Sequence, residues 1–183
     1  MIENIIGKRY AKALSFSIDN DLRLSSALGN VENLWDTFHN VPELGVFFSH
    51  PGIQIEKKVA MINDLCDKIV VELEVRNLLL TLLARQKIFN LKNVLEHFRN
   101  SVDDRLNQIR ASVISAFPLE ELHIKRISTM LETAYGKKVL IETFVDESII
   151  GGIILRIGGL VADASMKNRL SKMKRYLEKG EVV

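Results

Sequence analysis

The spacing of nonpolar residues changes once along this chain, near residue 106, and that change constrains the fold more than any other feature. Before it, nonpolar residues recur at i, i+3, i+4 and i+7, the spacing of one helix face; after it they alternate, the spacing of a half-buried strand. No Gly-, Pro- or Ser-rich linker separates the two regimes, so a helical unit runs directly into a mixed one. The expected fold class is α+β: an N-terminal six-helix bundle over residues 1–105, followed by a small C-terminal α/β module over residues 106–183. A length of 183 residues is enough for two small cores.

Within the first regime, Leu24, Ala27, Leu28, Val31, Leu34, Trp35 and Phe38 make a stripe that must stop near Val41-Pro42, because a residue before proline is pushed out of the helical region. Leu44 to Phe48 reads as a short apolar turn leading to the His50-Pro51-Gly52 breaker. A second stripe, Ile55, Val59, Ile62, Leu65, Cys66 and Ile69, lies opposite Glu56, Lys57, Asp64, Asp67 and Lys68. Leu91, Val94, Leu95, Phe98, Val102 and Leu106 form the last helix, for which Asn90 is a plausible N-cap.

Two helices carry more nonpolar surface than a single packed face needs. Ile2, Ile5, Ile6, Tyr10, Ala11, Ala13, Leu14, Phe16 and Ile18 sweep about two-thirds of a helical wheel. From Val71 to Ala84, Leu73, Val75, Leu78, Leu79, Leu80, Leu82 and Leu83 leave only a slim polar strip. Either these helices lie at the centre of the bundle, or part of their surface waits for a partner.

After residue 106, Ala111 and Val113 alternate with Arg110 and Ser112 in a strand that Pro118 ends. Glu120 and Glu121 suit the first turn of a helix with a stripe of Ile124, Ile127, Leu131 and Ala134, and Gly136 suits its C-terminal stop. Val139 to Val145 alternates as a second strand. Ile149 to Ile157 reads as a third, interrupted by Gly151-Gly152, a pair that marks a bulge or a close backbone approach. Gly158-Gly159 suits a two-residue hairpin turn into a short strand. Ser165 is placed to cap a final helix with the stripe Met166, Leu170, Met173 and Leu177.

Little here points to chemistry. His39, His50, His97 and His123 stand apart from any nucleophile signature and lack metal-ligand spacing. Gly136-Lys137-Lys138 lacks the rest of a phosphate loop, and Gly151, Gly152, Gly158 and Gly159 miss the dinucleotide spacing. Asp103-Asp104 and Glu120-Glu121 read as solvated faces or helix ends. No catalytic, metal or cofactor site is expected. The single Cys66 excludes an internal disulfide and falls on a core stripe, and the longest apolar run, from Leu78 to Ala84, is too short to span a bilayer. Acidic residues (Glu3, Asp19 and Asp21) argue against reading the N-terminal helix as a mitochondrial presequence.

A net charge of +2 is too small for nucleic-acid binding by the whole chain. Residues 166–183, however, carry six basic against two acidic residues, which leaves open an acidic partner, an anionic surface or a small RNA-binding or regulatory role. Tyr176 is the lone aromatic there, so a base-stacking platform is lacking.

Residues 139 to 158, VLIETFVDESIIGGIILRIG, resemble the signature of the ATP synthase delta subunit family of bacterial F-type enzymes, homologous to the mitochondrial oligomycin-sensitivity-conferring protein. LVADASMKNRLSKMK continues the family pattern, and KRYAKAL and NLLLTLLAR resemble the family's first and fifth helices. The match rests on Asp146, Gly151, Gly152, Arg156, Gly158, Asp163 and Ser165; Ala164 departs from the glycine usual at its position.

The resemblance implies a non-catalytic stator subunit that ties the catalytic head to the peripheral stalk. It implies that the helical half grips the N-terminus of one alpha subunit through helices one and five, here Tyr10, Ala13, Leu14, Ser17, Val75, Leu79, Leu82 and Leu83. It also implies that the C-terminal half meets the b subunits, with Lys167, Arg169, Lys172, Lys174 and Arg175 as possible contacts. The implied location is the cytoplasmic face of the bacterial cell membrane, held there through the complex.

Overall fold

The computed structural model describes the backbone of residues 2–179 and the side chains of residues 4–178. The Ile2 side chain of the first apolar arc and the last residues of the C-terminal basic run lie outside the described residues. Among the described residues, eight α-helices and one four-stranded mixed sheet make an α+β fold, and the chain divides between Leu106 and Asn107 into two compact units.

The first unit holds α1 (Ile2–Ser17), α2 (Asp21–Asn40), α3 (Pro42–Ser49), α4 (Ile55–Ile69), α5 (Leu73–Ala84), a 3-10 turn (Ile88–Asn90) and α6 (Leu91–Arg105). Asn20 starts α2: its backbone is extended and its Oδ1 accepts from the Leu22 amide at 2.8 Å. The segment from Leu44 to Phe48, expected as a turn, is instead helical. Pro42 sits at the first helical position, where its missing N–H is harmless, and Glu43 suits the helix dipole. Asn90 stands just before α6 but makes no side-chain capping bond; the 3-10 turn runs straight into the helix, and Asn90 is buried instead.

α1 and α6 pack along much of their length. Gly7 permits it, since a Cβ there would lie 2.8 Å from the Asn93 carbonyl carbon. The buried face of α1 is Gly7, Ala11 and Leu14, positions that fall on one side of a helix, and Ile18, just past its end, is buried too. α5 answers the second question about excess nonpolar surface differently: Val75, Leu78, Leu79, Leu82 and Leu83 are all buried, so this helix is central. They share one core with Leu24, Leu34, Ile62, Cys66, Val94 and Phe98.

Two charged residues are also buried in this unit. The Lys58 Nζ donates to the Phe48 and His50 carbonyls at 2.8 and 2.9 Å, satisfying groups at the end of α3. Asp103, expected on a solvated face, is buried on the inner side of α6.

The second unit holds β1 (Gln108–Ser115), α7 (Glu121–Tyr135), β2 (Lys138–Val145), a 3-10 turn (Glu147–Ile149), β3 (Ile153–Ile157), β4 (Leu160–Asp163) and α8 (Met166–Lys179). The sheet order is β2-β1-β3-β4; β1 and β2 run parallel across the α7 connection, and the other pairs are antiparallel. Its small core takes Ala111, Val113, Ala116, Val139 and Ile149. Gly136, at φ +65°, ends α7 as the sequence suggests.

Two expectations change in this unit. β3 begins only at Ile153, so the glycine pair precedes the strand rather than bulging within it. The stripes on both helices are also less covered than a core demands. Ile124, Ile127 and Leu131 are half-buried and Ala134 is exposed, while Met166, Leu170, Met173 and Leu177 are all exposed.

Candidate functional site

A groove of about 300 Å³ opens between α1 and α5. Tyr10, Ala13, Leu14 and Ser17 form one wall, and Glu74, Asn77, Leu78 and Thr81 the other. Each set falls at i, i+3, i+4 and i+7, so the groove follows one face of each helix. Ala13 and Ser17 are exposed, Tyr10 is half-buried, and the buried Leu14 and Leu78 make a nonpolar floor. Ser17 Oγ donates back to the Leu14 carbonyl at 2.8 Å, which removes its need for another acceptor.

All four α1 residues singled out from the sequence line this groove. The four on α5 do not: Val75, Leu79, Leu82 and Leu83 are at most 4% exposed and face the core. The correction is one of phase. α5 is nonpolar almost all round, so its pattern could not say which face looks outward, and the outward one carries Asn77 and Thr81.

Arg23 fixes the groove's end. Its Nη2 reaches Glu72 Oε2 at 2.8 Å and Glu74 Oε2 at 2.9 Å, tying α2 to the start of α5. The hydrogen bond to Glu72, then the charges of Glu72 and Glu74, push the Arg23 guanidinium above its ordinary value. Neither this clamp nor Asn77 and Thr81 was picked out from the sequence; polar residues at four-residue spacing on an otherwise apolar helix were the available signal.

Most of the C-terminal signature residues hold local backbone geometry. The Asp146 carboxylate accepts from the Ser148 amide at 2.9 Å, and Asp163 accepts from the Ser165 amide at 2.9 Å. Ser165 Oγ accepts from Asn168 at 3.1 Å, the capping bond expected of it. Between them, Gly151 accepts from the Met166 amide, and Gly152 adopts φ +79° with the Ala164 carbonyl oxygen 2.4 Å from where its Cβ would be. The glycine pair thus seats the start of α8. Ala164 has no positive φ, which explains why a Cβ is tolerated there. Gly158, at φ +54°, turns the hairpin from β3 to β4, and Arg156 projects from β3 as an exposed side chain.

Lys167, Arg169, Lys172, Lys174 and Arg175 are all exposed on α8. Beside them runs the uncovered nonpolar stripe, to which Tyr176 adds at 62% exposure. The histidines sit in ordinary structural settings: His39 stacks on Trp35, His50 Nδ1 accepts from Gly52, and His97 pairs with Asn4. Among the described residues, no three His, Cys, Asp or Glu side chains gather to hold a metal ion.

The family model for the ATP synthase delta (OSCP) subunit matches residues 6–177 of this chain. The chain belongs to that family. Delta subunits of ATP synthase from Geotalea uraniireducens and Trichlorobacter lovleyi are 33% and 32% identical to it, over 98% of this chain and 100% of each relative. In fold it is similar to a chain of the Toxoplasma gondii mitochondrial ATP synthase hexamer, with a TM-score of 0.67 at 21% identity, covering 94% of this chain and 97% of that one. A delta-type subunit is a stator component of an F-type ATP synthase, a part of an enzyme complex. The RNA-binding reading that the basic last helix left open finds no support. No helix among the described residues is long and apolar enough to cross a membrane.

Proposed function

We propose that this subunit joins the catalytic head of the synthase to its peripheral stalk, with no active site of its own, on the cytoplasmic face of a bacterial cell membrane. Residues 1–105 act as a six-helix bundle that receives the N-terminal helix of an alpha subunit in the α1–α5 groove. The open groove with Ala13 and Ser17 on its lip and Leu14 and Leu78 at its floor carries this reading. A helix laid along two ridges buries its nonpolar face, and Tyr10 supplies a rigid aromatic wall.

Residues 106–183 meet the b subunits through α8. Its uncovered stripe supplies nonpolar area, and Lys167, Arg169, Lys172, Lys174 and Arg175 suit an acidic helical partner. The role is mechanical: a turning rotor drags on the head, and two interfaces on the order of 1,600 Å² each resist that torque without covalent links.

The test is a titration of the full-length chain with a peptide of the alpha-subunit N-terminus, read by amide shifts. Saturable shifts along α1 and the outward face of α5 are expected. No binding at high micromolar peptide, or shifts confined to α8, would overturn the head assignment.

A further inference from the structure

We propose that the corner where α3 ends and α4 begins, closed off by the end of α5, binds a small amphipathic carboxylate, an aliphatic or aromatic acid. A cavity of about 430 Å³ lies there, within the size range of small-molecule sites. Phe48, Ile53, Leu83 and Ile88 line it, with Ile55 and Phe89 among its exposed residues.

Three polar side chains interrupt that lining; Ser49 Oγ already donates to the Val46 carbonyl, which leaves two. Lys58 is only 9% exposed, and its ammonium donates to two backbone carbonyls, at 2.8 and 2.9 Å. An ammonium has three donors, so one is left over. The carbonyls solvate the charge without neutralising it, and among the described residues no carboxylate pairs with Lys58. A buried cation without a counter-charge is costly, and an anion entering the cavity would relieve it.

Gln86 is the second. It holds φ +54° just past α5, where its amide bonds to the Leu83 carbonyl and the next amide to Leu82. That left-handed position favours glycine, yet a carboxamide-bearing residue occupies it and lines the same cavity. One spare ammonium donor suits a single carboxylate, and Gln86, an exposed residue on the cavity's lining, is placed at its rim. A phosphate dianion would bring more charge than one cation can balance.

The cavity shares no lining residue with the α1–α5 groove and none with α8, and octanoate is a suitable probe, with octanol as its uncharged counterpart. In a titration of the ¹⁵N-labelled full-length protein, octanoate should give saturable amide shifts confined to residues 48–58 and 83–89. Octanol should bind about tenfold more weakly, the loss expected for one charge-assisted hydrogen bond. Lys58→Met should remove that preference. Because Lys58 also holds the end of α3, a second variant is needed: Ile55→Glu, at an exposed position, should weaken octanoate but not octanol, with the thermal midpoint unchanged. The proposal is overturned by the absence of saturable shifts at about 10 mM octanoate, by equal binding of octanol, by shifts centred on the α8 stripe, or by an Ile55→Glu protein that binds octanoate as before.

Discussion

A methyl group at residue 7 would collide with the Asn93 backbone, and one at residue 152 would collide with the Ala164 carbonyl from a left-handed φ that L side chains rarely adopt. Gly7→Ala should therefore push α1 off α6 and cost about 1–3 kcal/mol, as overpacking does. Urea unfolding followed by Trp35 fluorescence would measure it. Gly152→Ala should unsettle the second unit while leaving that Trp35 transition unchanged, which NMR spectra of the two units would show. Asp146 and Asp163 add a pH dependence. Hydrogen bonding from Ser148 and from Ser165, respectively, holds each carboxyl below its ordinary value. A carboxyl that binds its proton less tightly when folded than when unfolded stabilises the fold above the ordinary carboxylate range, and this is lost as pH falls through about 4 and below. The second unit should loosen on acidification in that window, and Asp163→Asn should flatten the slope.

At the scale of elements, α5 and α1 separate two meanings of excess nonpolar surface. Leu79→Asp places a charge in the core and should unfold the first unit. Ala13→Asp sits on an exposed lip, so the fold should survive with stability changed by less than about 1 kcal/mol. Circular dichroism distinguishes the two, and only the second tests docking by weaker peptide binding. Both helices look alike on a wheel. What tells them apart is the number of neighbours: α5 is ringed by α1, α2 and α4, whereas α1 relies chiefly on α6. The end of α4 offers a further check. Val70 ends it at φ 55°, ψ 67°, a β-branched residue in the left-handed region that is 81% exposed. Val70→Gly should relieve that strain and stabilise the protein by about 1 kcal/mol in urea unfolding.

For the whole molecule, the core that joins Ala11 to Val102 comes wholly from the first unit. The fragment 1–106 should thus fold alone and keep the Trp35 unfolding transition, by fluorescence and calorimetry. The second unit is thinner, with no buried residue on α7 and an uncovered stripe on α8. The change from helical to alternating spacing near Leu106, the stop at Gly136, the hairpin at Gly158-Gly159 and the cap at Ser165 were all legible in the sequence. Each depends on local backbone geometry, which neighbouring residue types dictate. The resemblance carried by residues 139 to 158 was legible too, and those residues shape one corner of the fold. Other features depended on distant partners: the outward face of α5, the burial of Lys58 and Asp103, the helical state of Leu44 to Phe48, and the exposure of the α8 stripe. Nonpolar residues all round a helix carry no phase, and a lysine's character does not say which carbonyls will surround it. The sequence by itself determined the change of spacing near Leu106 and the stop, turn and cap at Gly136, Gly158-Gly159 and Ser165, because those preferences are local. Tertiary structure alone decided which nonpolar faces are covered, because burial depends on what residues far along the chain bring alongside.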